Sequence, residues 1–346
     1  MTEPVRSPGL WVLAWRRLRS DRVGLVSLVI VLFYLGVVLL SSMGWIARDW
    51  TREVGVNYAP PPFWANDQDE TAKALPPPPE PATPPSLYGL TDPLGSVLAD
   101  IRREYPHDLV THDLPRRLTL PLGGDKWGHD VLTKLVKGSQ TSLMVGLVSA
   151  LLATALGTFL GALAGYFGGW VDDGLNWLFG VFTAIPYLLL VFAIAAVLQE
   201  RGVTTLILIL GLTGWTGVFR LMRAEFLKHR SREYVLAAAA MGASHARRMF
   251  VHILPNTSHV ILVQLSLNVV GFIKSEVILS FLGFGVPVDV VSWGSMLNEA
   301  QNELVLGKWW QLAAAGTAMA ILVTAFSMLT DALRDALDPR LQRRED

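Results

Sequence analysis

Thr141 to Phe167 reads TSLMVGLVSALLATALGTFLGALAGYF, an unbroken run without a single Asp, Glu, Lys or Arg. A helix needs about 20 apolar residues to cross the hydrocarbon core of a bilayer. The run is therefore long enough to span. Within it Gly157, Gly161 and Gly165 recur every four residues, with Gly146 further up. That spacing lines one helix face with small residues and predicts a helix packed closely against it.

Working outward in both directions, Val23 to Ile46, Gly174 to Leu198, Val203 to Phe219 and Trp309 to Thr330 are equally free of charge. A further apolar stretch, Val260 to Gly285, is interrupted by Lys274 and Glu276. Each costs about 2.5 to 3.5 kcal/mol at a helix centre, which the flanking Ile, Leu, Val and Phe residues offset. The expectation is an all-α integral membrane protein with six transmembrane helices. The composition agrees, with 51% hydrophobic and 17% charged residues and a mean hydropathy of +0.40. Uncharged runs of this length exclude a soluble helical domain. The first run exceeds the apolar region of about 7 to 15 residues found in signal peptides and lacks a small-residue cleavage site, so it reads as an anchor.

Formal net charge is zero, which points away from a nucleic-acid partner, but the charges are unevenly placed. Arg16, Arg17, Arg19 and Arg22 precede the first span and set the N-terminus in the cytoplasm by the positive-inside rule. Six crossings return the C-terminus to that side. The segment Arg220 to His259 falls there too, and it carries Arg220, Arg223, Lys228, Arg230, Arg232, Arg247 and Arg248 against Glu225 and Glu233. The organisation expected is a cytoplasmic segment 1–22, a first transmembrane helix 23–46, an external proline-rich insert 47–140, a transmembrane core 141–330 containing the cytoplasmic loop 220–259, and a cytoplasmic tail 331–346. Ten of the twenty prolines lie between Pro60 and Pro85, which favours extended polyproline II. The insert reads either as an external cap on a tether or as a disordered loop, with a short helix expected over 94–105 from the spacing of Leu94, Val97, Leu98 and Ile101. Cysteine is absent, so disulfides and thiolate metal sites are excluded.

Three features inside the spans are candidate pathway or gating residues. Lys274 and Glu276 are ionisable groups at membrane depth, where such residues face a bundle interior or a water-filled cavity. They are two positions apart and point to different helix faces. A contact with a partner subunit and snorkelling are the rival readings. Pro186, in Thr183-Ala184-Ile185-Pro186, predicts a kink. Asp125, Asp130, His129 and His107 supply carboxylate and imidazole, but their spacing fits no common metal site, and no metal is expected.

The cytoplasmic loop runs Glu233-Tyr234-Val235-Leu236-Ala237-Ala238-Ala239-Ala240-Met241-Gly242-Ala243-Ser244 and continues to His252-Ile253-Leu254-Pro255-Asn256. Ser231, Glu233 and the alanines predict a short helix. Gly242 predicts a chain reversal, and Ser244 an N-cap for a second short helix ending before Pro255. The small side chains suit a partner's groove, and the flanking arginines suit acids around it.

This loop resembles the EAA loop of ABC importer permeases, with Ala237, Ala238, Gly242, Leu254 and Pro255 at matching positions and Leu236 where the naming glutamate stands. Glu233, one turn earlier, is the residue that could stand in for it. Four other stretches are similar to the dipeptide/oligopeptide/nickel permease group: Leu122 to Leu132, Ala164 to Asp172, Glu276 to Gly285 with Ser292 to Leu297, and Asp331 to Arg340. Within the group the pattern is closer to the "C" permease. The resemblance implies a type I ABC importer permease fold in a bacterial inner membrane. It further implies a second, "B"-type permease completing a heterodimeric pore, two cytoplasmic ATPase subunits that use ATP and Mg, and an external peptide-binding protein. It places Glu233, Ala237, Ala238, Gly242, Arg247, Arg248, Leu254 and Pro255 in the ATPase-coupling element. The cargo implied is a dipeptide or oligopeptide, with nickel or a peptide antibiotic as alternatives. No Gly-x-Ser-x-Gly, His-Glu-x-x-His or Gly-x-x-x-x-Gly-Lys-Ser/Thr sequence occurs, so no catalytic residues and no bound cofactor are expected. A secondary transporter working alone is the rival class; it would need no docking loop.

Overall fold

The computed structural model describes residues 10–64, 116–198 and 200–337. Helices, in chain order, are α1 (Leu10–Ser20), α2 (Arg22–Ser42), α3 (Val131–Phe167), α4 (Gly169–Thr183), α5 (Tyr187–Leu198), α6 (Val203–Thr213), α7 (Thr216–Arg230), α8 (Glu233–Ala240), α9 (His245–Phe281), α10 (Trp293–Val305) and α11 (Trp310–Leu337). Of the described residues, those of 10–48 and 133–337 form one compact unit, and those of 49–64 and 116–132 form a second.

Among the described residues, five helical stretches are long and apolar enough to cross a membrane: α2, α3, α6 with α7, α9 and α11. A sixth crossing exists if α4 and α5 count together, for they are bent by 83° at their junction. The sequence predicts one kinked helix over 174–198. The structure instead ends α4 at Thr183 and restarts after Pro186, whose ring cannot donate to the preceding turn. Other boundaries also shift. The first span ends at Ser42 rather than at 46, and residues 131–140, counted with the insert in the sequence, are the opening turns of α3.

The glycine stripe of α3 packs against α7. A Cβ added at Gly157 would lie 2.7 Å from the Val218 Cβ, one at Gly161 2.7 Å from the Phe219 carbonyl oxygen, and one at Gly165 2.8 Å from the Phe226 Cβ. Three glycines thus meet three successive turns of α7, and only hydrogen at those positions permits the approach. Behind this seam Trp215 and Phe219 are buried with Ala164, covered by Leu178 and Phe182 of α4. Elsewhere α11 lies along α2, α9 and α10. The Tyr34 hydroxyl of α2 donates to the Ala318 carbonyl at 3.0 Å.

In the second unit the described backbone is held by bridges between Glu53 and His129, Gly55 and Arg117, and Gly124 and Asp130. Asp125 is buried and organises the turn. One carboxylate oxygen accepts from the Trp127 and His129 backbone N–H groups, both at 2.9 Å, and the other lies 2.9 Å from His129 Nδ1. Gly128 sits at φ +82°, the left-handed region that glycine occupies at low cost. Asp130 accepts from the Leu132 N–H at 3.1 Å and opens α3. Among the described residues no three His, Cys, Asp or Glu side chains gather as metal ligands. His107, the expected helix over 94–105 and most of the proline-rich stretch lie outside the described residues, as does Asp338 to Arg340 of the tail.

Candidate functional site

The α8 to α9 segment takes its shape from local chemistry. α8 ends on Met241, and Gly242 follows at φ +82°. The Ala243 N–H donates to the Ala238 carbonyl and the Gly242 N–H to the Ala239 carbonyl, both at 3.0 Å. This is the paired closure of a Schellman turn, with glycine at the left-handed position. Ser244 then caps the next helix, its hydroxyl accepting from the Arg247 N–H at 3.3 Å.

Two expectations need correction. Ser231 does not start α8; it terminates α7, its hydroxyl directed to the Lys228 carbonyl at 3.4 Å, and Arg232 precedes α8 without a side-chain cap. Nor does the second helix stop before Pro255. After His245–Arg247 the chain widens to a π-turn over Arg248–Ile253, tightens to a 3-10 turn over Leu254–Thr257, and continues as α-helix from Ser258 to Phe281. Pro255 has no N–H to give, and the change of hydrogen-bond register carries the helix past it.

The element is bolted down from beneath. Val235 is buried with Met249 and Ile253 against Met222 and Phe226 of α7 and Ala162 of α3. Ala238 is buried too, while Glu233, Ala237, Gly242, Arg247 and Pro255 are exposed and Arg248 and Leu254 are half-buried. Leu236 and Met241 stand out, 56% and 81% exposed. Beside them a groove of about 420 Å³ is lined by Tyr166, Phe167, Arg230, Leu236, His245 and Arg248. The Tyr166 hydroxyl lies 3.0 Å from His245 Nδ1, and the Arg248 guanidinium covers the Tyr166 ring at 5.7 Å. Burial raises the Tyr234 phenol above its ordinary range; it stays neutral 2.8 Å from His229 Nδ1.

Sequence reasoning missed the residues that tie this element to the helix ends. Arg230 donates to the Gly165 and Tyr166 carbonyls at 3.3 and 3.4 Å, satisfying the last turn of α3. Gly168 and Gly169 reverse the chain at φ +67° and +53°. Asp172, in the first turn of α4, then receives a two-pronged hydrogen bond from Arg223 of α7, at 2.5 and 2.6 Å. Both residues were visible in the sequence, but 51 positions apart no spacing rule joins them.

The pathway candidates separate. Lys274 is exposed on the face of α9 that also bears Leu267 and Ile278. Glu276 is fully buried. Its two carboxylate oxygens accept from Ser142 of α3 and Ser280 of α9, each at 2.7 Å. Ser142 also accepts from the Trp293 N–H at 3.2 Å, and Ser292 caps α10 in a reciprocal pair with Ser295. The Glu276 side chain is thus set next to the N-terminus of α10. Gly294 makes this possible: a Cβ there would lie 2.5 Å from the Ser280 Cβ. Pro186 is exposed at the α4–α5 break.

The family described as "Binding-protein-dependent transport system inner membrane component" matches residues 157–343. Residues 9–77 match "N-terminal TM domain of oligopeptide transport permease C". The dipeptide transport system permease protein DppC of Bacillus subtilis is 38% identical over 244 residues, which cover 69% of this chain and 76% of that protein. The oligopeptide transport system permease protein OppC of the same organism is 34% identical over 236 residues, covering 68% and 77%. Among solved structures, the methionine ABC transporter MetNI in inward-facing conformations is similar with a TM-score of 0.49 and 15% identity, over 59% of this chain and 96% of that one.

Proposed function

The chain belongs to the family of binding-protein-dependent transport system inner membrane components, and from that premise we propose that it is the "C"-type permease subunit of an ATP-driven importer of dipeptides or oligopeptides. In this reading it crosses the membrane six times with both termini in the cytoplasm and has the type I importer fold. It supplies half of a pore completed by a second permease, and a peptide-binding protein delivers the cargo outside. It hydrolyses nothing itself; two ATPase subunits use ATP and Mg on its cytoplasmic side.

One observation carries the reading: α8, closed by the Gly242 turn, is fixed from below by Val235 and shows Leu236 and Met241 to solvent above the Tyr166 to Arg248 groove. Apolar side chains held outward on a rigid mount suit a permanent partner. The peptide cargo is supported by the named transport roles of the two Bacillus subtilis relatives. ATP-driven movement of this partner would shift α8 and α9 together and switch the pore between its two open sides.

The test is purification of the tagged chain from its own membrane, followed by reconstitution. Co-elution with a second permease and two ATPases, and ATP-dependent uptake of radiolabelled dipeptide or oligopeptide, is the expected result. Uptake by this chain alone on an ion gradient overturns the reading. ATP-dependent uptake of nickel without peptide keeps the permease and replaces the cargo.

A further inference from the structure

A groove of about 600 Å³ runs between α2 and α11, lined by Arg22, Val26, Ile30, Ile321, Thr324 and Met328 among others. Its walls are apolar, and Arg22 is the one charged side chain lining it. The two helices touch on either side of the groove: a Cβ added at Gly24 would lie 2.7 Å from the Ala332 Cβ, and the Tyr34 hydroxyl reaches the Ala318 carbonyl. Small or short residues, Ser27, Ala320, Thr324 and Ala325, then leave the floor low.

On the α2 side the charge at its mouth is mostly positive. Residues 10–42 contain Arg16, Arg17, Arg19 and Arg22 and a single acid, Asp21. Arg16, Arg19 and Arg22 are exposed, and none of the three is held in an ion pair among the described residues. Asp21 is engaged, its carboxylate accepting from the Val23 N–H at 3.0 Å. On α11 the acids beyond Met328 are Asp331 and Asp335, both exposed.

In a bilayer a furrow of this kind does not stay empty, and its lining suits hydrocarbon. A basic residue at the membrane end of an apolar intramembrane furrow recognises a phosphate headgroup. We propose that the α2–α11 groove seats an acyl chain of one anionic glycerophospholipid, with its phosphate held by Arg22. The lipid would act as a fitted wedge between the first span and the last, with Arg16 and Arg19 adding attraction for the anionic leaflet. This goes beyond the transport reading and depends only on the chain lying in a membrane.

Native mass spectrometry of the full chain with its co-eluting subunits tests it, after delipidation and titration with phosphatidylglycerol or phosphatidylcholine of matched chains. The expected result is one tightly held phosphatidylglycerol per chain. Arg22→Gln should lower the preference for phosphatidylglycerol about fivefold, the attraction of one surface arginine for an anionic leaflet. Arg22→Lys should keep most of it. Thr324→Trp fills the groove and should abolish retention of both lipids. Should that variant not fold, a benzoylphenylalanine photocrosslinker replacing Ile321 decides instead: a mass gain of one phospholipid supports the site. Crosslinking to a protein helix, or equal phosphatidylglycerol preference in wild type and Arg22→Gln, overturns it.

Discussion

The Ser142 hydroxyl donates to the Glu276 carboxylate at 2.7 Å across 134 positions of sequence, and the same hydroxyl accepts from the Trp293 N–H. One hydrogen-bonded point therefore joins α3, α9 and the start of α10. Glu276→Ala leaves the Ser142 and Ser280 hydroxyls without their acceptor in a buried site, at a cost of about 1 to 3 kcal/mol for each unsatisfied group. The expected outcome is a lowered melting temperature and less assembled complex, together with lost uptake. Glu276→Gln, which still offers an acceptor, should lose much less of each. Normal assembly with abolished uptake in Glu276→Ala would instead make the residue a transport-path group.

The seam between α3 and α7 should tolerate nothing larger than glycine. In Gly161→Val the branched side chain meets the Phe219 carbonyl oxygen and the Met222 Cβ, which lie 2.7 and 2.9 Å from the added Cβ. Overpacking of a fitted interface costs about 1 to 3 kcal/mol. Membrane levels and thermal stability of Gly161→Val should fall well below those of Gly174→Ala, where an added Cβ meets nothing within 4 Å. Equal levels for the two variants would contradict the seam.

Arg223 and Asp172 hold α7 to the start of α4 through two parallel hydrogen bonds. Arg223→Lys keeps the charge but loses the planar fork. A double-mutant cycle with Arg223→Lys and Asp172→Asn, read by thermal unfolding in detergent, should give a coupling of about 1 kcal/mol, near the top of the range for partly exposed pairs. Additive single effects would show that the pair is unimportant.

On the face we propose for docking, Met241→Arg changes an exposed side chain. The amount of folded protein in the membrane should stay near wild type, while ATPase subunits retained on purification should drop at least tenfold. Gly242→Val should also weaken retention, through backbone rather than contact. A left-handed conformation costs a non-glycine residue about 1 to 2 kcal/mol, although space around Gly242 is open. If both variants keep their ATPases, α8 is not the docking element.

The spans could be read from the sequence because long uncharged runs have no other stable home, and the α8–Gly242–Ser244 turn because glycine and serine act within four residues of themselves. The Gly157, Gly161 and Gly165 stripe announced a close neighbour, though not that α7 is the helix it meets. What stayed hidden depends on tertiary partners. A lone carboxylate in a span marks Glu276 in the sequence, but its partners could not be read there, because its serines lie on α3 and a turn further along α9. Pro186 signalled a bend, yet its size depends on the 83° turn taken by the flanking helices. Pro255 looked like a stop, and only the π-turn before it allows the helix to continue.

That π-turn fixes a phase. From His245 to Phe281 the backbone is helical throughout, so the azimuth of the groove residues His245 and Arg248 is locked to that of Glu276 some thirty residues away. The π-turn uses one residue more per turn than its neighbours, and an α-helix advances about 100° per residue. Removing one residue between Arg248 and Ile253 would let that turn close as regular α-helix with the groove residues still in phase with the buried carboxylate, whereas removing one from the regular α-helix after Ser258 would swing them about 100° away. Chimeras between related permeases should therefore exchange the loop and all of α9 as a single cassette, because a graft with its junction inside 248–257 inherits whatever angular mismatch separates the two parents.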